Sequence, residues 1–330
     1  MRLQGHIPVY LFVDDLAVTA AQVRVPRIGS YWQIPGPGVT DVDNLLRVTD
    51  SLVALAAEND IFTIRIDPQI EEDGAAIRRL VDRGLRRTMS WTCDHTVLVD
   101  LTGSEDEVLR RFSTRARRWI KRAARDGVVV ERVEATGENC RIKYELLNAT
   151  ADNRFAIMSL EATIRSYQQM QEAGTGQLFL ARYKGNVVAG AFAIQVGEAS
   201  LYLTGASVRK DPGSSEGNGL GAHGVGHAVQ WEIMRWAREN DCTWYDMYGS
   251  PSSRFAEDSA HPLYGVGQFK LSFNKQITDY IGCYDVPVRR GRAWIVYQAE
   301  RLMINANRSK LVSRITGHNI QENPDLAWFR

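Results

Sequence analysis

Cysteine is scarce in this chain of 330 residues: Cys93, Cys140, Cys242 and Cys283 lie far apart, and none belongs to a C-x-x-C pair. That spacing excludes a disulfide framework and a thiolate zinc module, and it favours a reducing compartment. No apolar run reaches the roughly 18 residues that cross a bilayer, and residues 1–6 lack the flanks of a signal peptide. A large excess of one charge is missing too. Forty Lys and Arg face 39 Asp and Glu, for a formal net charge of +1. This excludes wholesale coating of a nucleic acid but leaves room for a local basic patch. No Ser/His/Asp triad is legible. His223 and His227 are four apart, but the glutamate and third ligand of a zinc helix are missing, so no metal site is expected. What is present is a chain with 44% hydrophobic and 24% charged residues. Such a chain buries real cores and is comfortable as two domains. The expectation is a soluble cytoplasmic protein.

Apolar spacing yields an α/β element order. Residues 8–15, 18–27 and 30–35 read as short strands, the last stopped by Gly36-Pro37-Gly38. Residues 41–59 carry Val42, Leu45, Leu46, Val48, Leu52, Leu55 and Ala56 at helical spacing behind the N-cap candidate Asp41. The run 61–67 is a buried-type strand. The same order returns later. Residues 177–205 read as three strands with turns at Lys184-Gly185-Asn186 and Gly197-Glu198, followed by a Gly-rich loop (211–226), a helix near 224–240 and a strand at 242–247. Three strands, helix, strand appears twice, which implies duplication of one α/β unit. Helical stretches near 141–151 and 158–173 precede the second copy, whereas the first starts almost directly on its strand.

Residues 104–126 form the sharpest local feature and are expected as one helix. Ser104 and Glu107 make an S-x-x-E capping box, acids fill the first turn, and Gly127 closes the end. Leu109, Phe112, Ala116, Ile120 and Ala123 form an apolar stripe. Arg111, Arg115, Arg118, Arg122 and Arg125 line the opposite face, broadened by Arg110, Arg117 and Lys121. Such a face is a cationic surface for nucleic-acid or nucleotide phosphates, or else the solvated side of a packing helix. The unrelieved repulsion of so many cations argues for a ligand. A shorter basic cluster sits at Arg289, Arg290 and Arg292.

Two further segments carry candidate chemistry. The run 216–222 is rich in glycine and resembles the acyl-CoA loop of N-acetyltransferases, although Glu216 stands where a cation or amide is usual. Tyr245-Asp246-Met247-Tyr248-Gly249 ends a strand, and Phe269-Lys270-Leu271-Ser272-Phe273 follows a Gly-rich approach. A lysine between aromatics is a candidate for stabilising negative charge, or it snorkels beside Phe.

In order along the chain, Tyr31-Trp32-Gln33-Ile34-Pro35-Gly36-Pro37, Ile64-Arg65-Ile66-Asp67-Pro68, Val97-Leu98-Val99-Asp100-Leu101 with the basic helix, Ala149-Thr150-Ala151-Asp152-Asn153-Arg154-Phe155, Tyr202-Leu203-Thr204-Gly205-Ala206-Ser207, and the two segments above resemble the FemABX family of aminoacyl-tRNA-dependent peptidyltransferases. The resemblance is to a compact member without a coiled-coil arm. It implies two tandem acyl-CoA N-acyltransferase-like (GNAT-like) domains with mixed sheets flanked by helices. These are expected over 1–137, N-terminally shortened and completed by 286–330, and over 138–285.

The implied reaction moves an amino acid from aminoacyl-tRNA, as co-substrate and without a cofactor, to an amine of a peptide acceptor. That acceptor is a peptidoglycan precursor, lipid II or the UDP-linked muropeptide, met with a peripheral contact at the inner membrane face. By the same resemblance Lys270 stabilises the oxyanion and Asp246 is a candidate base. Phe269 stacks near the terminal adenosine, and Arg154 and Tyr202 bind the precursor. The motif residues Tyr245, Phe273, Arg65 and Trp32 line the same channel. An aminoacyl ester is already activated, so alignment and charge stabilisation suffice and no enzyme nucleophile is needed. Amide formation on a small peptide, acyl-CoA-dependent acylation through the glycine loop, and a silent binding relative remain as alternatives.

Overall fold

The computed structural model describes residues 6–14, 16–90, 92–151, 157–208, 223–307 and 325. In chain order the first elements are β1 (Ile7–Val13), β2 (Leu16–Val25), β3 (Gly29–Pro35), α1 (Val42–Glu58), β4 (Ile61–Asp67), α2 (Gly74–Asp82), β5 (Arg86–Thr88) and β6 (His95–Thr96). Then come β7 (Leu98–Asp100), α3 (Glu105–Arg111), α4 (Thr114–Arg125), β8 (Val129–Val133), α5 (Gly137–Ala151), α6 (Leu160–Glu172), β9 (Gly176–Tyr183), β10 (Asn186–Val196) and β11 (Ala199–Ser207). The last are α7 (Val225–Glu239), β12 (Trp244–Asp246), α8 (Tyr264–Lys270), β13 (Thr278–Asp279), β14 (Cys283–Pro287) and α9 (Arg290–Asn307).

Two compact units result. One comprises Met1–His95, Pro251–Pro262 and Thr278–Arg330; the other comprises Thr96–Ser250 and Leu263–Ile277. Each is a six-stranded mixed sheet with helices, ordered β1-β2-β3-β4-β14-β5 in the first unit and β7-β12-β11-β10-β9-β8 in the second. The duplication is visible in the pairing. Three antiparallel strands lead to a parallel fourth in both units: β3 with β4, and β11 with β12. The units divide the chain differently from 1–137 and 138–285. β7 pairs with β12 and β8 with β9, so residues 96–137 build the second unit, while β14 returns to pair with β4 and β5 in the first. Backbone hydrogen bonds to sequence-distant strands decide membership, and no local pattern encodes them.

Local chemistry sets the element ends. Asp41 caps α1 by accepting the Asn44 N–H at 2.9 Å. β4 is buried along its whole length, as a strand paired on both edges and covered by helices must be. β1 has one buried face only. The expected helix over 104–126 is in fact two. The Ser104–Glu107 capping box starts α3, but Phe112 turns extended (ψ 154°) with its ring buried, and Ser113 caps α4 through the Ala116 N–H at 3.2 Å. The Ser113 N–H donates to the Ser272 carbonyl at 2.9 Å, so that amide stays paired across the break. The helices between β8 and β9 are 15 and 13 residues long. Among the described residues no helix is long and apolar enough to cross a membrane.

Candidate active site

A cavity of about 420 Å³ opens in the second unit. Its floor is Ala189 and Gly190 of β10 with Tyr202, Gly205, Ala206 and Ser207 of β11. One wall is the start of α7, from Gly224 to Gln230. The other is formed by Arg115 and Trp119 of α4, Thr150 of α5 and Phe269 of α8. The floor is glycine-rich because larger groups fill the space beneath. A Cβ on Gly205 would fall on the Tyr202 hydroxyl, and one on Gly190 would press into the Lys143 stem at 2.9 Å. Gly224 takes φ +70° hard against the Trp119 carbonyl, which lets α7 start beside α4.

The cavity wall is aromatic. His227 lies edge-on to Phe269 (ring centroids 4.8 Å, 72°) and stacks with Phe273 and, more distantly, Trp119. Its Nε2 meets Ser272 Oγ at 3.3 Å, and that Oγ donates to the Phe269 carbonyl at 2.6 Å. Burial, reinforced by the Arg115 cation, pushes the His227 pKa down to about 4. The imidazole is therefore neutral at physiological pH.

Beneath the floor Lys143 is completely buried. Its Nζ donates to Tyr167 Oη at 2.7 Å and contacts Thr204 Oγ1, while Tyr167 and Thr204 meet at 2.8 Å. Among the described residues no carboxylate pairs with it. Burial pushes its pKa down to about 7. A neutral amine suits this ring of three: each member can give one hydrogen and take one, whereas an ammonium would leave the threonine O–H without an acceptor.

Lys270 and Asp246 meet at a turn rather than at the cavity. Tyr248 holds φ 59°, a left-handed conformation that costs energy in a tyrosine. Asp246 accepts the Tyr248 N–H at 2.7 Å and the Thr96 hydroxyl. The Lys270 Nζ donates to the Gly249 carbonyl at 2.5 Å and to that of Tyr248. Burial raises the Asp246 pKa above its ordinary value. Lys270 is itself buried and does not face bulk water.

The basic residues divide between two places. Arg117, Arg118, Lys121, Arg122 and Arg125 line a groove of about 780 Å³ on α4 with Thr114 and Trp119, so Trp119 borders both groove and cavity. Arg118 and Arg122 sit over its ring at 5.8 and 5.3 Å. Arg122 and Arg125 pair with Asp126, whereas Arg115, Arg117, Arg118 and Lys121 have no acidic partner among the described residues. Arg111 leaves the stripe. It belongs to α3 and donates to the carbonyls of Asp100 and Thr102, because the break at Phe112 resets the helix phase.

Other expected site residues have different surroundings. Tyr245 is core, its hydroxyl donating to Gln230 Oε1 at 2.6 Å, and Phe273 packs against Phe112 and His227. In the first unit, Trp32 is buried in the main core. Arg65 there is held by Asp285 and Glu300, which accept from Nε, Nη1 and Nη2 at 2.7–3.0 Å, so its guanidinium has no face to offer a ligand. Arg154 and residues 216–222 lie outside the described residues. Sequence reasoning passed over Trp119, His227 as a cavity residue, and Lys143. The available signals were the cap at Ser113 and an unmatched lysine facing the sheet from α5.

Residues 158–301 match the model of the FemAB family. Over 304 residues the chain is 27% identical to a UDP-N-acetylmuramoylpentapeptide-lysine N(6)-alanyltransferase of Weissella viridescens, covering 84% of this chain and 83% of that protein. A lipid II:glycine glycyltransferase of Staphylococcus epidermidis is 23% identical, over 75% of this chain and 74% of its own length. The crystal structure of FemX superposes with a TM-score of 0.73 at 20% identity, over 89% of this chain and 91% of that one, and so shares the fold. The motif order, the match over residues 158–301 and the relatives agree in what this chain is similar to: proteins of the FemAB family.

Proposed function

We propose that the second unit's cavity transfers an aminoacyl group from the 3′ end of an aminoacyl-tRNA to an amine of a peptidoglycan precursor, lipid II or the UDP-linked pentapeptide, in the cytoplasm. One observation carries this reading: Trp119 joins a cationic groove to an aromatic-walled cavity within a chain related to alanyl- and glycyltransferases. The groove suits the phosphates of an unpaired RNA end, and Trp119 with Phe269 suits stacking of its last bases. The ester is already activated. The chain's task is to hold it against the amine and exclude water.

Asp246 and Lys270 act here as positioning residues. Together they clamp the Tyr248–Gly249 turn in its left-handed form, behind the helix that presents Phe269. Tyr202 supports the cavity floor. Its hydroxyl is pushed up to about 12 by burial, so it stays protonated.

The experiment is transfer of radiolabel from aminoacyl-tRNA to lipid II and to the UDP-linked pentapeptide. Label in either precursor, abolished by RNase pretreatment, is the expected result. No label in either, together with saturable acyl-CoA binding, overturns it. Label reaching only short free peptides would move the acceptor to small-peptide assembly.

A further inference from the structure

We propose, resting on the acyl-transfer reading above, that His227 is the proton carrier of the reaction. Its Nδ1 takes a proton from the attacking amine and returns it to the ribose oxygen that leaves.

The hydrogen-bond chain assigns the tautomer. Ser272 Oγ spends its only hydrogen on the Phe269 carbonyl at 2.6 Å, so toward His227 Nε2, at 3.3 Å, it can only accept. Nε2 therefore bears the ring hydrogen. Nδ1 is left as a lone pair with no hydrogen-bond partner among the described residues, on a ring that lines the cavity. A base oriented by a second group through its far nitrogen is the arrangement acyl transfer uses elsewhere. Phe269, Phe273 and Trp119 hold the ring plane. Arg115, on α4, is the charged group that faces it; Phe269, Ser272 and Phe273 are uncharged.

The step balances. The amine nitrogen bonds to the ester carbonyl carbon, and its N–H proton passes to Nδ1. The carbon–oxygen bond to the ribose then breaks, and the same proton moves to that oxygen. Amide and free hydroxyl result, and His227 returns to neutral. Burial and Arg115 keep the resting ring unprotonated, and they make the imidazolium, once formed, a strong donor to the leaving oxygen.

His227→Gln keeps a polar atom near Ser272 but removes the Nδ1 lone pair. A general base contributes roughly a hundredfold or more, so kcat is expected to fall at least thirtyfold while KM for aminoacyl-tRNA stays within about threefold. His227→Ala is expected to be rescued by added imidazole in proportion to its free-base concentration, a response that a packing role would not give. The nitrogen-15 spectrum of the wild-type ring should show the Nε2–H tautomer. A His227→Gln kcat within threefold of wild type overturns the proposal, as does an Nδ1–H tautomer. If wild type transfers no label at all, the acyl-transfer reading itself fails, and the proton role falls with it.

Discussion

Each unit buries a cation beside its central strands, and the two are satisfied in opposite ways. In the first unit Arg65 keeps its charge against Asp285 and Glu300. In the second, Lys143 meets hydroxyls among the described residues, and burial pushes its pKa down to about 7. A guanidinium can be held by a bidentate carboxylate and never deprotonates, whereas an amine without a counter-ion in low dielectric loses its proton. The shared strand topology therefore serves different ends. The first unit's centre is closed by a multidentate ion pair. The second unit's centre holds an amine that gives up its proton readily, beneath a cavity floor that keeps glycine at 190 and 205.

The contrast can be broken at several points. Arg65→Met strands Asp285 in the core, and removing one partner of a buried pair typically costs about 3–5 kcal/mol; denaturant unfolding should show a loss of that size. Lys270→Met removes the clamp on the strained Tyr248 turn. It should lower kcat by about a hundredfold with an unchanged circular dichroism spectrum, as misplacement near reacting groups does. A kcat within threefold of wild type would remove Lys270 from the site.

Lys143→Met sharpens the comparison through pH. Between about pH 7 and the ordinary lysine pKa of 10.5, the unfolded chain binds a proton that the folded chain does not. Wild-type stability should therefore rise with pH across that window, by at most about 1.4 kcal/mol per unit, whereas below it this group's cost is present in full and no longer changes with pH. The methionine variant should lack this rise and be the more stable protein at pH 7. The smallest effect is expected on the groove. Arg118→Ala should weaken RNA binding several-fold and reduce the slope of log affinity against log salt by about 0.7.

Much of the fold was legible because it is written in local periods. Asp41, the alternation of β1, and the Lys184-Gly185 turn mark their elements by residues a few positions apart. The basic helix misled for a local reason as well. Its apolar stripe runs through Phe112 without interruption, and only the Ser272 carbonyl waiting for the Ser113 amide shows why the chain breaks there. Arg65 and Trp32 stood in motif-like segments, yet their neighbours from β14, α9 and α1 decide that they are core.

The repeated order of three strands, helix and strand, the helix caps and the density of cations over residues 110–125 were determined by the sequence alone, since hydrogen bonding and apolar spacing within a few residues suffice for them. Which cation stays charged, which lies open to a phosphate, and which histidine nitrogen keeps its lone pair were decided only in the tertiary structure. Those properties depend on the group across the contact, and residues tens to hundreds of positions away supply it.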